Sequence, residues 1–255
     1  MALRRPYPVL SLLVLMLAVA ACTSPGASAP AASLPPAPAT ATPANTACSN
    51  PLYPVIKGAE WIYAMSGIST GTFTHSIIAV RADGFTDQDV FESGVSRTGQ
   101  WSCNAGGLTA LSPAESLSAM VQTQGVTAEY QTVSSSGITL PALLTPGTTW
   151  DRKFTVEGTQ SFAGQDVQGK GDVSYSCTAA DSEIVAVPAG SFDAVRVGCR
   201  INGPITVTMA GFEIPIEFAS AATMWYATDG GMIKTENEVS GIGHSTIELT
   251  SYAIP

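Results

Sequence analysis

Phe212-Glu213-Ile214-Pro215-Ile216-Glu217-Phe218 is the stretch that decides the fold. Apolar side chains recur at every second position. In an extended strand Phe212, Ile214, Ile216 and Phe218 therefore share one face, while Glu213 and Glu217 point the other way. Pro215 falls on the polar face and removes a ladder donor, which predicts an edge or bulged strand. Val195, Val197, Cys199 and Ile201 alternate in the same manner.

Reading outward, similar runs are separated by turn signals. Thr72 to Arg81 leads into Asp83-Gly84 and a second run, Gln88 to Arg97. Ser191 to Ile201 reaches Asn202-Gly203 and continues through Pro204 to Met209. Ala222 to Thr228 meets Asp229-Gly230-Gly231 and continues to Val239. Asp-Gly and Asn-Gly between alternating runs favour hairpins, because tight hairpin turns need positive φ. The expected fold class is all-β, mainly antiparallel, in a continuous meander. One segment departs from it. Ser112-Pro113-Ala114-Glu115 has a capping-box Ser and Glu with Pro at the first helical position. Leu117, Met120 and Val121 then share a helical face and Gly125 can end the helix, so one short helix is expected near 113–124. Such a helix would cover one opening or face of the sheet.

The N-terminus carries a different message. Arg4 and Arg5 precede an almost unbroken apolar run, Val9 to Ala21, which is shorter than the roughly 20 residues of a membrane span and suits an export signal. The run ends Val19-Ala20-Ala21-Cys22. An aliphatic residue and two small ones before a Cys resemble the bacterial lipobox, which implies cleavage before Cys22 and diacylglycerol on its thiol. The expected organisation is a lipoprotein signal peptide at 1–21, a lipid-anchored tether at 22–47 and a single β domain at 48–255. Thr23 to Ala47 contains six prolines and no charged residue, a composition that cannot build a packed core. At about 3.1 Å per residue an extended tether of this length reaches roughly 75 Å from the bilayer. Attachment to the membrane through the lipid is thus the one partner the sequence names. Thr23 is not the Asp that, by analogy with other lipoproteins, favours inner-membrane retention. The expected location is the cell membrane or outer membrane, with the domain facing the periplasm or the exterior.

Composition narrows the rest. The chain has 255 residues, 45% of them hydrophobic and 12% charged, and a formal net charge of −9. Once Arg4 and Arg5 leave with the signal, the nine remaining basic residues form no cluster, which argues against nucleic-acid binding. After Cys22, four cysteines remain: Cys48, Cys103, Cys177 and Cys199. An even number in an exported domain suggests two disulfides with three possible connectivities, against the alternative of buried free thiols. Cys177 and Cys199 each lie eleven residues from Pro188, inside Val187-Pro188-Ala189-Gly190. If that turn joins two antiparallel strands, the two Cys fall nearly opposite one another. Cys48 and Cys103 then form the second pair.

Gly58-x-x-Trp61-x-Tyr63, Pro146-Gly147-x-x-Trp150 and Val185-x-Val187-Pro188-Ala189-Gly190-x-Phe192-Asp193-Ala194 occur in that order. They are followed by Trp225-Tyr226-Ala227, Gly231-Met232-Ile233-Lys234 and Leu249-Thr250-Ser251-Tyr252. This series resembles the TapB-type family of bacterial lipoproteins. The resemblance implies a curved antiparallel sheet, similar to the half-barrels of lipoprotein carriers, and it carries no catalytic residue set. Asp229-Gly230 departs from the family's closing segment, where an apolar residue is expected beside the Gly.

Candidate chemistry is sparse. Gly67-Ile68-Ser69-Thr70-Gly71 matches the G-x-S-x-G elbow, but it lies between two strands with no helix after it, so a hairpin loop is the better reading. His75 lies on the Phe73/Ile77 face of its strand and His244 begins another; neither has a motif partner, and two His cannot build a three-His zinc site. Asp83, Asp87 and Asp89 lack EF-hand spacing and read as turn residues on a solvated loop. The chain is therefore expected to be non-enzymatic, with no metal and no cofactor. Two roles remain: holding a lipid or other apolar ligand on the inner face of the sheet, or docking another exported protein through a domain with a filled core.

Overall fold

In a computed structural model of the chain, residues 48–162, 165–209 and 211–255 are described. The signal peptide, Cys22 and the tether lie outside the described residues. The elements are β1 (Glu60–Gly67), β2 (Gly71–Arg81), β3 (Gly84–Phe91), β4 (Ser96–Asn104), β5 (Gly107–Ala110), α1 (Pro113–Gln122), β6 (Ala128–Gly137) and β7 (Leu140–Pro141). They continue with β8 (Thr149–Phe162), β9 (Gln165–Val187), β10 (Gly190–Met209), β11 (Phe212–Ala227), β12 (Gly231–Val239) and β13 (Gly243–Ala253). All thirteen strands join one antiparallel sheet, in the order β6-β8-β9-β10-β11-β12-β13-β1-β2-β3-β4-β5-β7, curled into a half-barrel.

Most neighbours follow each other in the chain, as a meander requires. The exceptions are β5 with β7, β6 with β8, and β13, which pairs with β1 and joins the last strand to the first. Side chains alternate between an inner, buried face and an outer one. On β1 the inner residues Trp61, Tyr63 and Met65 are buried, while Glu60 and Ile62 are exposed. Phe73 and Ile77 of β2, Phe85 of β3, Val197 of β10, Ile233 of β12 and Leu249 of β13 complete much of the core. Close strand packing also needs missing side chains. A Cβ at Gly158 would meet the Glu129 carbonyl, and one at Gly171 the Pro204 carbonyl, so glycine lets neighbouring backbones approach.

The α1 helix forms where expected, with Gly125 at φ +79° closing the turn after it. The capping box does not form. Ser112 Oγ instead accepts from the Gln100 backbone N–H (3.1 Å), and Glu115 accepts from the Thr132 hydroxyl (3.1 Å). Both side chains are used to dock the helix on the sheet. Ser118 Oγ accepts from Tyr130 N–H (2.7 Å), and Gln122 donates to the Ala128 carbonyl (2.7 Å). The helix packs on β6 and β4, two strands that do not pair with each other.

Two turn signals were decisive and one misled. Asp83 and Asp229-Gly230 lie in turns between paired strands, and Asp229 has φ +57°. Asn202-Gly203, in contrast, is interior to β10. Asn202 is matched with Ser174 on one side and Ala219 on the other, so two flanking ladders override a local turn preference. The hairpin falls later, with Gly211 at φ +83°. The edge expected at Pro215 is present over part of β11: β12 ends with Val239 opposite Ser220, leaving 212–218 paired with β10 alone.

Val187 and Gly190 flank the Pro188-Ala189 turn and set the register that matches Cys177 with Cys199, Cα atoms 4.1 Å apart. The second disulfide joins Cys48 to Cys103, Cα atoms 5.0 Å apart. The sequence separations are 22 and 55 residues. Chain-entropy arguments make the longer loop the more stabilising, about 4 against about 3 kcal/mol. Chemical denaturation of the full chain should show a larger loss for C48S/C103S than for C177S/C199S; the reverse order would contradict the entropic account.

Candidate functional site

Polar residues enter the inner face on β2, β3 and β4. His75 pairs with Asp89, Asp89 with Arg97 and Asp87 with Gly99, so these strands place two carboxylates, an imidazole and a guanidinium side by side. His75 Nδ1 lies 2.6 Å from Asp89 Oδ1, and its Nε2 lies 2.7 Å from the Tyr53 hydroxyl. Arg97 donates from Nε to Asp89 Oδ2 (2.6 Å) and from Nη1 to Asp87 Oδ1 (3.1 Å). Trp101 Nε1 donates to Asp87 Oδ2 (2.8 Å). Asp87 is fully buried and Asp89 nearly so. The acidic cluster is therefore no solvated loop: only Asp83 sits in a turn, and the other two are core residues neutralised by Arg97 from the next strand.

Burial alone would raise the Asp89 carboxyl, but the His75 hydrogen bond and the Arg97 charge outweigh it and hold it below the ordinary aspartate value. Burial and the charge of Asp87 push the Tyr53 hydroxyl well above its usual range, so it keeps its proton. Tyr53, His75 and Asp89 have the ingredients of an acid–base relay. They are packed against Trp61, Phe85 and Trp101, with ring centroids 5.2 to 6.3 Å apart within this group. A cleft of about 300 Å³ between α1, β4 and β6 is lined by Arg97, Glu115, Glu129 and Tyr130, and not by Tyr53, His75 or Asp89. The geometry suits a structural pin.

The other candidates separate. Ser69 lies in the β1–β2 hairpin, buried, its Oγ accepting from Gln124 Nε2 (3.4 Å). His244 is exposed near the start of β13, away from any partner seen for His75. Among the described residues no group of three or more His, Cys, Asp or Glu is placed to hold a metal ion.

A second feature lies at the free end of β10 and β11. Ile205 pairs with Ile216, Val207 with Ile214 and Met209 with Phe212, giving an apolar ladder on the inner face. It is not covered: Phe212 is 74% exposed, Ile216 47% and Ile214 43%. The alternation that defined the strand is real, but over these residues its apolar face meets solvent. Contiguous apolar surface of this kind marks an interaction site more often than isolated exposed residues do.

Together the curled meander, the helix packed on β4 and β6 and the open ladder define a half-barrel protein. No protein-family model matches the chain, and no curated protein matches it in sequence. Among solved structures it is similar to a presumed exported protein with YmcC-like fold from Bacteroides fragilis NCTC 9343 (TM-score 0.52, 13% identity, covering 79% of this chain and 98% of that one). It is also similar to a presumed lipoprotein from Parabacteroides distasonis ATCC 8503 (TM-score 0.51, 14% identity, covering 81% and 99%). At these identities the likeness establishes the fold: a YmcC-like curved antiparallel sheet.

The pin predicts an acid sensitivity. Asp89 has a lower pKa folded than unfolded, so its contribution to stability is complete above about pH 4 and is lost as pH falls through the folded value. Denaturation midpoints of the full chain should fall below pH 4. D89N should cost about 3 kcal/mol at pH 7, because Arg97 and His75 lose a buried partner, and should flatten that acid limb. An unchanged limb would assign it to other carboxylates.

Proposed function

We propose that the protein is a lipid-anchored lipoprotein of the bacterial cell envelope, akin to the TapB-type lipoproteins, that binds a lipid or other apolar ligand without catalysing a reaction. Its signal peptide and lipobox support export and acylation of Cys22, and the two disulfides fit an oxidising compartment. The observation that carries the binding role is the uncovered ladder Met209, Phe212, Ile214 and Ile216 on the inner face.

The strand edge beside the ladder argues about the occupant. Residues 212–218 lack a ladder partner on the β12 side, yet Pro215 offers no backbone N–H and Glu213 and Glu217 place charge along the edge. These devices discourage addition of a partner strand. The edge is defended while the face is open, which favours a ligand lying on the face over an exported protein pairing with the edge. Covering half-exposed Ile or Phe side chains is worth about 1 kcal/mol each, enough for a reversible hold.

A neutral fluorescent probe, N-phenyl-1-naphthylamine, should gain intensity on titration with the full chain. I214S/I216S should weaken its binding about tenfold or more while changing stability by only about 0.5 kcal/mol, since both side chains are half exposed. Absence of probe uptake, together with a stoichiometric exported partner in a pull-down, would favour the docking role instead.

A further inference from the structure

Arg152 of β8 is a buried cation for which the described residues supply no carboxylate. It is 8% exposed. Its Nη2 donates to the Ala110 carbonyl of β5 across the interior (3.1 Å), and its guanidinium carbon lies 5.5 Å from the centroid of the Phe154 ring. Its Nε is buried without an acceptor. Arg97, by comparison, has two carboxylates. A guanidinium out of water is costly unless its N–H groups meet acceptors, and it prefers an oxyanion that takes two of them at once.

A second donor stands beside it. Tyr175 pairs directly with Arg152 in the β8–β9 ladder and packs against Phe154, ring centroids 6.1 Å apart. Burial raises its hydroxyl above the ordinary value, so it remains a donor. The same row continues through Ile201 to Ser220. Further along this face come Phe154 and Val156 on β8, then Ile205, Val207 and Met209 on β10, matched by Ile216, Ile214 and Phe212 on β11. From Ile201 to Met209 the strand runs about 27 Å. One interior face thus carries an unpaired cation at one end and an uncovered apolar ladder at the other.

We propose that Arg152 and Tyr175 receive the oxyanion of an anionic amphiphile, a carboxylate or phosphate on an alkyl chain, whose chain extends along the inner face to the Ile216–Phe212 ladder. This rests on the apolar-ligand reading above and adds the charge of the ligand to it. The cation explains the head, and the ladder explains the tail.

The test compares ligands sharing a tail or a head, by displacement of the neutral naphthylamine probe from the full chain carrying C22S, which removes competition from its own acyl groups. Palmitate and hexadecyl phosphate, whose chains are long enough to run from Arg152 to the start of the ladder, should displace the probe about tenfold more tightly than hexadecanol, the margin expected of one charge-assisted contact. Acetate and inorganic phosphate should displace it far less well than either amphiphile. R152Q should bring the palmitate-to-hexadecanol ratio close to one, and Y175F, which keeps the ring, should reduce it about threefold. Equal affinities for palmitate and hexadecanol in the parent chain would overturn the proposal, as would a ratio unchanged in R152Q. If R152Q does not fold, an unchanged ratio in Y175F overturns it. Acetate or phosphate matching the amphiphiles would mean a small-anion site and also overturn it. Failure of the probe to bind at all would instead remove the apolar-ligand reading on which it stands.

Discussion

The pairing of β1 with β13 holds the molecule together. Without it the chain would be two separate meanders: β1 to β5 with β7 on one side, and β6 with β8 to β13 on the other. The joint is reinforced by side chains that reach past the ladder. Trp61 Nε1 donates to the Gly230 carbonyl (2.8 Å) and the Tyr63 hydroxyl to the Met232 carbonyl (2.7 Å), fixing β1 to the β11–β12 turn and to β12. Burial pushes the Tyr63 hydroxyl far above its usual range, so this donor stays protonated wherever the fold survives. Closing the first strand on the last is a non-local contact, and its loop-closure cost must be met before it stabilises anything. The Cys48–Cys103 bond lowers part of that cost by tying the start of the domain to β4.

Curvature follows from the same joint. A thirteen-stranded sheet whose strands twist in one sense cannot stay flat, and here it curls until β6, at one margin, and β4, two strands in from the other, both meet α1. Backbone pairing does not complete the circle. The helix, with Ser112, Glu115, Ser118 and Gln122 all bonded to the sheet, spans the gap. This explains why a capping-box sequence is present while its capping bonds are not: the same side chains serve tertiary contacts.

What was legible in the sequence is what depends on neighbours a few residues away. The Val187-Pro188-Ala189-Gly190 turn carried its own register, and the Cys177–Cys199 match followed from counting along its two arms. The strand character of Phe212–Phe218 and the site of α1 were visible for the same reason. Asn202-Gly203 was misread because the ladders on both sides of β10 outweigh one dipeptide. Asp87 and Asp89 looked like loop residues because Arg97 and His75, which neutralise them, come from other strands. The exposure of Ile214 and Ile216 depends on where β12 stops, information absent from β11 itself. The signal that could have found the Arg152 feature is a charged residue in register with the apolar Phe154 and Val156 on one strand face, an inward-pointing charge by the period-two rule.

These two interior charges differ in a way that bears on function. Arg97 faces two carboxylates, so its cluster is complete without any other molecule and rigidifies the half of the sheet around β2 to β4. Arg152 has a carbonyl and an aromatic ring, contacts that leave its charge uncompensated. A protein of net charge −9 has carboxylates to spare, and a single Glu on the facing strand would neutralise Arg152 as Asp89 does Arg97. Keeping a buried cation with no carboxylate among the described residues is costly for stability alone, and it becomes economical when an anion arrives with the ligand.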